Sequence, residues 1–186
     1  MSEIAVPAPQ RRGRSRALPL RGLLFLGLAA LVVVVDQVTK RLAEERLERS
    51  GVRSVPVPFA GDFLRLTYTE NRGAAFGVLQ DQTTFFVLVG LIVVGVIAVS
   101  YRYLPRSDFR LHLALGLQLG GAVGNLIDRI RQGYVVDFVD FGYKSNLWPV
   151  FNVADSAIVI GVTLLALNAF SSNESPTPKG SDSAPA

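Results

Sequence analysis

LPLRGLLFLGLAALVVVV (18–35) is the first long apolar run of the chain, and it continues directly into DQVTK (36–40). Together with its flanking turns this run is long enough to cross a bilayer, which takes about 20 residues of α-helix. A basic segment precedes it, as in a secretory signal peptide. However, Asp36, Gln37 and Lys40 follow where small residues would mark a cleavage site. The sequence therefore predicts a retained membrane-spanning helix.

Three more apolar runs follow along the chain. They are FFVLVGLIVVGVIAV (85–99), LHLALGLQLGGAVGNLI (111–127) and VFNVADSAIVIGVTLLALNAF (150–170). The middle one is the weakest, because it carries Gln118 and Asn125. We predict an all-α membrane protein with a four-transmembrane-helix bundle, whose spans cover about residues 18–40, 82–104, 111–130 and 151–170.

The distribution of arginine predicts the orientation of these spans. Basic, acid-poor segments lie before the first span and between the second and third, so both are expected to face the cytoplasm. Four crossings then place both termini in the cytoplasm. Residues 1–17 and 171–186 are rich in Pro, Arg or Ser and are expected to be disordered tails around one membrane-embedded domain, 18–170.

The connection between the first two spans predicts a small β-structure outside the membrane. VPVPF (55–59) and FLRLTYT (63–69) flank the turn AGD, and the second segment alternates polar and apolar residues. Pro56 and Pro58 restrict the first strand to an edge. We therefore expect an extracytoplasmic β-hairpin or cradle, with its loop, over about residues 55–77.

Composition excludes several kinds of chemistry. The 186 residues are 49% hydrophobic and contain no cysteine and one histidine, so thiol nucleophiles, disulfides and His-rich metal clusters are excluded, and a Ser-His-Asp triad is disfavoured. The net charge of +4 comes with arginines beside an apolar run, a pattern that orients membrane proteins rather than binding nucleic acid. We expect no metal, no other cofactor and no nucleic-acid partner.

Polar residues from four separate segments are predicted to reach one level, near the outer membrane surface. They are Asp36, Thr39, Lys40, Asn71, Arg72, Asn125, Asp128, Arg129, Asp137, Asp140, Asn152 and Asp155. Ionisable residues in membrane spans cost about 2.5–3.5 kcal/mol each at the bilayer centre and less near the interface. Such convergence predicts a functional site.

A glycine stripe, Gly116, Gly120 and Gly124, leads along the third span to Asp128. Small residues at this spacing let a second helix approach closely, so the face that carries Asp128 is predicted to point into the bundle. The alternative is that the stripe serves packing alone, which leaves the predicted site unaffected.

Local spacing divides the acids into those with and without a basic neighbour. Asp36 and Lys40 stand at i and i+4, which favours a structural ion pair. Asp128 lies beside Arg129 and is interpreted as orienting an arginine. Asp140 pairs with Lys144 only if that stretch is helical.

Asp137 and Asp155 have no base within helical reach. Two adjacent carboxylates cannot both ionise cheaply, so such a pair shares one proton. The ionised acid can then activate water while the protonated acid polarises a carbonyl, as in aspartic proteases. The competing interpretation is that both acids are solvated residues at the interface.

Five motifs in this order resemble the lipoprotein signal peptidases (signal peptidase II): DQVTK, ENRGAAFG, GGAVGNLIDR, VVDFVDF and FNVAD. They cover most of residues 36–160. The resemblance implies an intramembrane aspartic endopeptidase of the bacterial inner membrane. Its partners would be membrane lipid and prolipoproteins, whose signal peptide is removed after a diacylglyceryl group is attached to the cysteine that becomes the new N-terminus.

The resemblance also implies roles for individual residues. Asp137 and Asp155 would be the catalytic pair. Four residues, Asn71, Asn125, Arg129 and Asn152, would line the site and hold the substrate backbone, and three more, Asp36, Lys40 and Asp128, would be supportive. A monomer is expected, because one chain supplies both acids.

The stretch VVDFVDF (135–141) separates its own two acids. In an extended segment Asp137 and Asp140 point to opposite faces, so Asp140 is predicted to support the site, anchoring the 141–150 loop.

Two rival functions remain at this point. One is a proton or ion translocator using Asp36, Asp128 and Asp155, which requires acids spaced across the membrane, and the other is a scaffold that tolerates loss of either catalytic acid.

Overall fold

A computed structural model describes residues 20–49, 51, 54–73, 79–104, 108–143 and 146–172. The predictions for the N-terminal tail, for the C-terminal tail from residue 173 onward, and for Lys144 lie outside the described residues. So does the part of the predicted outer loop at 74–78.

The described residues form four α-helices. These are α1 (Leu20–Ala43), α2 (Thr83–Ser100), α3 (Phe109–Gln132) and α4 (Val153–Ser172). α1 continues into a π-helical turn, Glu44–Glu48, and α2 into a 3-10 turn, Tyr101–Tyr103. α3 occupies the centre of the bundle, since it packs against α1, α2 and α4.

Three helical segments are long and apolar enough to cross a membrane: Gly22–Glu48, Thr83–Tyr103 and Val153–Ser171. α3 is not among them. Of the four predicted apolar spans, the described residues therefore contain three that are long and apolar enough. The reason lies in where α3 packs. His112, Asn125 and Asp128 are buried against its neighbours, and such residues lower its hydropathy without facing the surroundings of the bundle.

Glycines allow the central helix to approach its neighbours closely. A methyl group added at Gly120 would lie 2.6 Å from Cβ of Val32 and 2.7 Å from the carbonyl oxygen of Ala29, both on α1. At Gly161 of α4 it would lie 2.7 Å from the carbonyl oxygen of Ala114 on α3. The predicted close packing along the glycine stripe is therefore confirmed.

Helix α3 begins and ends at defined caps. The Asp108 carboxylate accepts hydrogen bonds from the backbone N–H groups of Arg110 and Leu111, at 3.0 and 3.2 Å. Gly133 has φ 84° and donates its N–H to the carbonyl of Arg129, a left-handed C-cap. The chain leaves the helix there and enters a strand at Val135.

A small antiparallel sheet consists of β1 (Ser54–Val57), β2 (Gly61–Asn71) and β3 (Val135–Tyr143), extended by the two residues of β4 (Asn146–Leu147). The predicted hairpin is the β1–β2 pair, and β1 is an edge strand. The predicted outer β-region did not include β3, which pairs along β2 and makes β2 a central strand.

The sheet sits at the end of the bundle where α1 ends and α4 begins, called here the sheet end. Phe138 of β3 packs against Ala43 and Leu47 at the end of α1. At the opposite end, Phe25 of α1 packs against Ile97 and Leu115.

Candidate active site

The sheet end contains a group of polar side chains that are shielded from solvent. Asp36, Lys40, Asn125, Asp128, Asp137 and Asn152 are each buried. They come from α1, α3, β3 and the residue before α4, so the structure brings together four separate segments of the chain. Buried polar groups destabilise a fold unless they are hydrogen-bonded, and every one of these has partners.

Asp137 is held by two asparagines on the sheet side of the site. It is 2% exposed, Asn71 donates to its Oδ2 at 2.9 Å, and Asn152 donates to its Oδ1 at 2.6 Å. The first contact follows from the sheet register, because Thr69 of β2 lies opposite Asp137 and brings Asn71 beside it. A bulge between Leu66 and Thr69 sets that register.

Asp155 lies in the first turn of α4, in a reciprocal cap. The backbone N–H of Asp155 donates to Oδ1 of Asn152 at 2.9 Å, and the backbone N–H of Asn152 donates to Oδ2 of Asp155 at 3.3 Å. This is the capping-box arrangement, and it places a carboxylate where the helix dipole favours negative charge. Asn125 donates to Oδ1 of Asp155 at 2.7 Å.

Both aspartates line one cavity of about 270 Å³. Its wall also includes Asn71, Gly73, Arg129, Trp148, Pro149, Val150 and Phe151. A larger cavity of about 590 Å³ lies between the π-helical turn and β2 and contains neither aspartate. The smaller cavity is the better candidate because it combines two carboxylates, an amide donor and an arginine in one cleft.

The environment of Asp137 favours its protonated form. Its pKa is raised to about 7, chiefly by burial and then by the negative charge of Asp155, while hydrogen bonds from Asn71 and Asn152 and the charge of Lys40 oppose the rise. Among the described residues neither aspartate forms an ion pair with a lysine or arginine. The arrangement can hold one proton between two acids near neutral pH.

Lys40 forms the centre of a second cluster behind the two aspartates. Its Nζ lies 2.9 Å from Oδ2 of Asp36, 2.8 Å from Oδ2 of Asp128 and 2.9 Å from Oδ1 of Asn125. The ion pair expected from the spacing of Asp36 and Lys40 is present. Asp36 also accepts a hydrogen bond from the backbone N–H of Ala154, which ties α1 to α4.

The expected role of Asp128 is corrected by these contacts. It pairs with Lys40 and accepts hydrogen bonds from Gln37 and from the backbone of Val136, rather than orienting an arginine. Adjacent residues on a helix point about 100° apart, so Asp128 faces α1 while Arg129 faces the cavity. Gln37 was not among the residues selected from the sequence, although its place within DQVTK, next to Asp36, was the available signal.

Arg129 joins the cavity to the segment after β2. It donates to the carbonyl oxygen of Gly73 at 3.3 Å, and its guanidinium lies 5.0 Å from the ring centre of Phe86 on α2. Asn71 accepts a hydrogen bond from the N–H of Gly73 as well. Gly73 therefore couples two of the predicted site residues, and sequence reasoning had not selected it.

Asp140 lies outside both the cavity and the cluster around Lys40. It lies opposite Arg65 in the sheet register and accepts a hydrogen bond from Thr67 at 3.4 Å. The expected separation of Asp137 and Asp140 onto opposite faces of the strand is present.

Among the described residues there is no group of three or more His, Asp or Glu side chains suited to a metal ion.

Comparison with known proteins gives consistent results. Residues 28–171 match the family described as "Signal peptidase (SPase) II". The lipoprotein signal peptidase of Moorella thermoacetica is 50% identical over 141 residues, covering 76% of this chain and 89% of the relative. That of Geobacter metallireducens is 45% identical over 149 residues, covering 78% and 89%.

Solved structures agree with the sequence relatives. A bacterial membrane enzyme determined by the in meso method at 2.3 Å resolution is 32% identical and superposes with a TM-score of 0.68. That match covers 84% of this chain and 93% of the other. Since the family match spans most of the 186 residues and the relatives are matched over nearly their full length, the chain belongs to the signal peptidase II family, the lipoprotein signal peptidases.

Proposed function

We propose that this lipoprotein signal peptidase is an aspartic endopeptidase that cleaves diacylglyceryl-modified prolipoproteins on the amino side of the lipidated cysteine. The observation that carries the proposal is the shared cavity of Asp137 and Asp155, with Asn152 bonded to both. Two carboxylates, amide donors and one arginine are sufficient for hydrolysis of a peptide bond without a metal or a thiol.

Asp155 acts as the base and Asp137 as the acid. Asp155 accepts N–H bonds at the N-terminus of α4, where negative charge is stabilised, whereas the raised pKa of Asp137 keeps a proton on it up to about pH 7. A water held between them gives its proton to Asp155 as its oxygen attacks the scissile carbonyl. Asp137 donates its proton to the developing oxyanion.

Collapse of the tetrahedral intermediate completes the reaction. The C–N bond breaks, the leaving nitrogen takes a proton from Asp155, and the oxyanion's proton returns to Asp137. The products are a carboxyl group on the signal peptide and a free amino group on the lipidated cysteine. Arg129 and Asn71 line the same cavity and are positioned to hold the substrate backbone.

The membrane arrangement belongs to this proposal. α3 crosses the bilayer as the fourth span, shielded by the three apolar helices, and the sheet end faces the outside of the bacterial inner membrane, with both termini in the cytoplasm. The signal peptide enters from the lipid between helices, the diacylglyceryl chains stay in the bilayer, and one chain, a monomer, provides the whole site.

A relay of protons across the membrane is the less favoured activity. The acids of α3 are Asp108, which caps one end, and Asp128 near the other. Twenty residues of helix separate them, about 30 Å, without another acid. The described acidic side chains of α1 and α4 lie at the sheet end or beyond it, so the bundle does not carry acids at intermediate depth.

The test is a cleavage assay with the purified enzyme in liposomes and a synthetic prolipoprotein that carries the diacylglyceryl group. Asp137→Asn and Asp155→Asn should each lower kcat by about 100- to 10,000-fold, the contribution that acid–base groups make. Asp140→Asn is the matched control, because it removes an acid from the same strand outside the cavity.

Two results would contradict different parts of the proposal. Turnover by either cavity variant at the rate of the Asp140→Asn control would exclude the two-aspartate mechanism. Equal cleavage of the same precursor without its diacylglyceryl group would exclude the proposed requirement for lipidated substrate.

A further inference from the structure

Lys40 is a buried cation with all of its hydrogen-bonding capacity used. It is 3% exposed, and its three N–H donors face three oxygen atoms, on Asp36, Asp128 and Asn125, at 2.8–2.9 Å. An ammonium group can only donate hydrogen bonds. The Asn125 atom that faces Lys40 must therefore be the amide oxygen.

That constraint fixes the direction of the Asn125 amide. With its oxygen held by Lys40, the NH₂ group points to Asp155, where Nδ2 lies 2.7 Å from Oδ1. The reversed amide would place NH₂ against an ammonium and an oxygen against a carboxylate. Both contacts would be repulsive inside a protein, where electrostatic interactions are stronger than in water.

The same oxygen also constrains Asn152. Oδ1 of Asn125 accepts a second hydrogen bond, at 3.2 Å, from Nδ2 of Asn152. The NH₂ group of Asn152 consequently faces Oδ1 of Asp137, at 2.6 Å. The ammonium of Lys40 thus fixes the amide direction of Asn125 directly. Through Asn125 it supports the direction of the Asn152 amide, whose oxygen is also held by the backbone N–H of Asp155 at 2.9 Å. Each asparagine points an N–H at a different aspartate.

We infer that Lys40 is a positioning residue, which locks the amide group of Asn125 and, together with the backbone N–H of Asp155, keeps that of Asn152 in place, so that each presents an N–H donor to one of the two aspartates. The inference rests on the proposed two-aspartate mechanism. Lys40 does not line the cavity, and it acts through the two asparagines.

The lock matters because the aspartates exchange protons during turnover. A protonated carboxyl group could donate to a neighbouring amide oxygen if that amide were free to turn. With both amides held as donors, each aspartate oxygen meets an N–H from the protein: Asn71 and Asn152 for Asp137, and Asn125 and the backbone of Asn152 for Asp155. The shared proton is left to point into the cavity, toward water and substrate.

Lys40→Gln and Lys40→Arg provide a matched test in the lipidated prolipoprotein assay. Glutamine can either donate or accept, so it releases the constraint, whereas arginine retains it by being a donor only. We expect kcat of Lys40→Gln to fall about 10- to 100-fold, the loss typical when a residue that orients a functional side chain is replaced. KM should be nearly unchanged. Lys40→Arg should retain a larger share of kcat than Lys40→Gln.

The pH profile separates positioning from a general loss of stability. The charge of Lys40 lowers the pKa of Asp137, against the opposing charge of Asp155. Arg129 faces both acids from α3, and Asp36 and Asp128 face Lys40 itself. The fall of kcat at high pH, where Asp137 loses its proton, should therefore occur at higher pH in Lys40→Gln but not in Lys40→Arg. The two variants are compared at equal folded fractions.

Several outcomes overturn the inference. Equal kcat for the two Lys40 variants, or no shift in the pH at which kcat of Lys40→Gln falls, would show that the residue is structural. If Lys40→Gln does not fold, NMR of the asparagine side-chain amides in the unaltered enzyme provides the test. Slow hydrogen exchange and unchanged chemical shifts of these amides from pH 5 to 9 support the lock. Reorientation of the amides over this pH range overturns it. The inference also fails separately from the proposed function if Asp137→Asn is inactive while Lys40→Gln has normal kinetics.

Discussion

The two ends of the contact between α1 and α3 use opposite kinds of side chain. At the end away from the sheet, Phe25 packs against Leu115, and its ring stacks on Tyr101 at 4.4 Å between centres. At the sheet end, the same two helices meet through Asp36, Lys40 and the polar residues of α3. Between the two ends, glycines of α3 let the helices approach closely, since a methyl group added at Gly120 would lie 2.7 Å from the carbonyl oxygen of Ala29.

The difference indicates that the two ends respond differently to substitution. Apolar packing is insensitive to which side chain supplies each contact, provided that volume is conserved. A buried polar cluster depends on every partner, because one missing group leaves another charge or donor unsatisfied. The apolar end is therefore expected to tolerate substitution, and the sheet end is expected to couple stability to activity.

The strongest test of this comparison is Asp36→Ala at the sheet end. It removes one of the two carboxylates that neutralise Lys40 and also the acceptor for the backbone N–H of Ala154. Breaking a buried ion pair on one side costs about 3–5 kcal/mol. We expect a drop of this size in the free energy of unfolding in detergent, together with loss of cleavage. A variant that unfolds normally but is inactive would show that the cluster adds no stability.

Phe25→Ala tests the apolar end and should have a smaller effect. A soluble core loses about 3–5 kcal/mol with a phenylalanine, but lipid chains are as apolar as the protein interior, so the loss here should be lower. The folded fraction should cleave substrate with unchanged kcat, because Phe25 packs against Ile97 and Leu115 at the end of the bundle away from the sheet. A lowered kcat at equal folded fraction would show that the two ends are coupled.

The smallest of these effects is the change in stability over a single pH unit. The pKa of Asp137 is raised in the folded state above its usual value of 3.8, so between about pH 4 and pH 7 the folded protein binds more protons than the unfolded one. The stability that Asp137 contributes is therefore fully present below about pH 4, and it falls by up to about 1.4 kcal/mol for each pH unit as pH rises to 7.

Asp137→Asn should flatten this slope, and Asp140→Asn should not. Unfolding curves at pH 5 and pH 6 measure the difference directly. An identical slope in the unaltered enzyme and in Asp137→Asn would contradict the assignment of the shared proton to Asp137.

The elements formed by local contacts were predictable from the sequence. Long apolar runs predicted helices, the alternating segment 63–69 predicted the hairpin, and the spacing of Asp36 and Lys40 predicted their ion pair. Each of these signals lies within one turn of helix or one strand pair, where residue spacing and geometry are directly linked. The polar residues near span ends also predicted which segments would meet.

The contacts between polar side chains of different segments became visible only in the folded structure. Strand β3 joins β2 across 66 residues between Asn71 and Asp137, Lys40 reaches Asn125 across 85, and Asp36 reaches the backbone of Ala154 across 118. No periodicity in the sequence records contacts at such distances. Sequence determined that two aspartates lacked a basic partner, whereas folding determined that they share one cavity, because only the packed bundle brings α3, β3 and the start of α4 together.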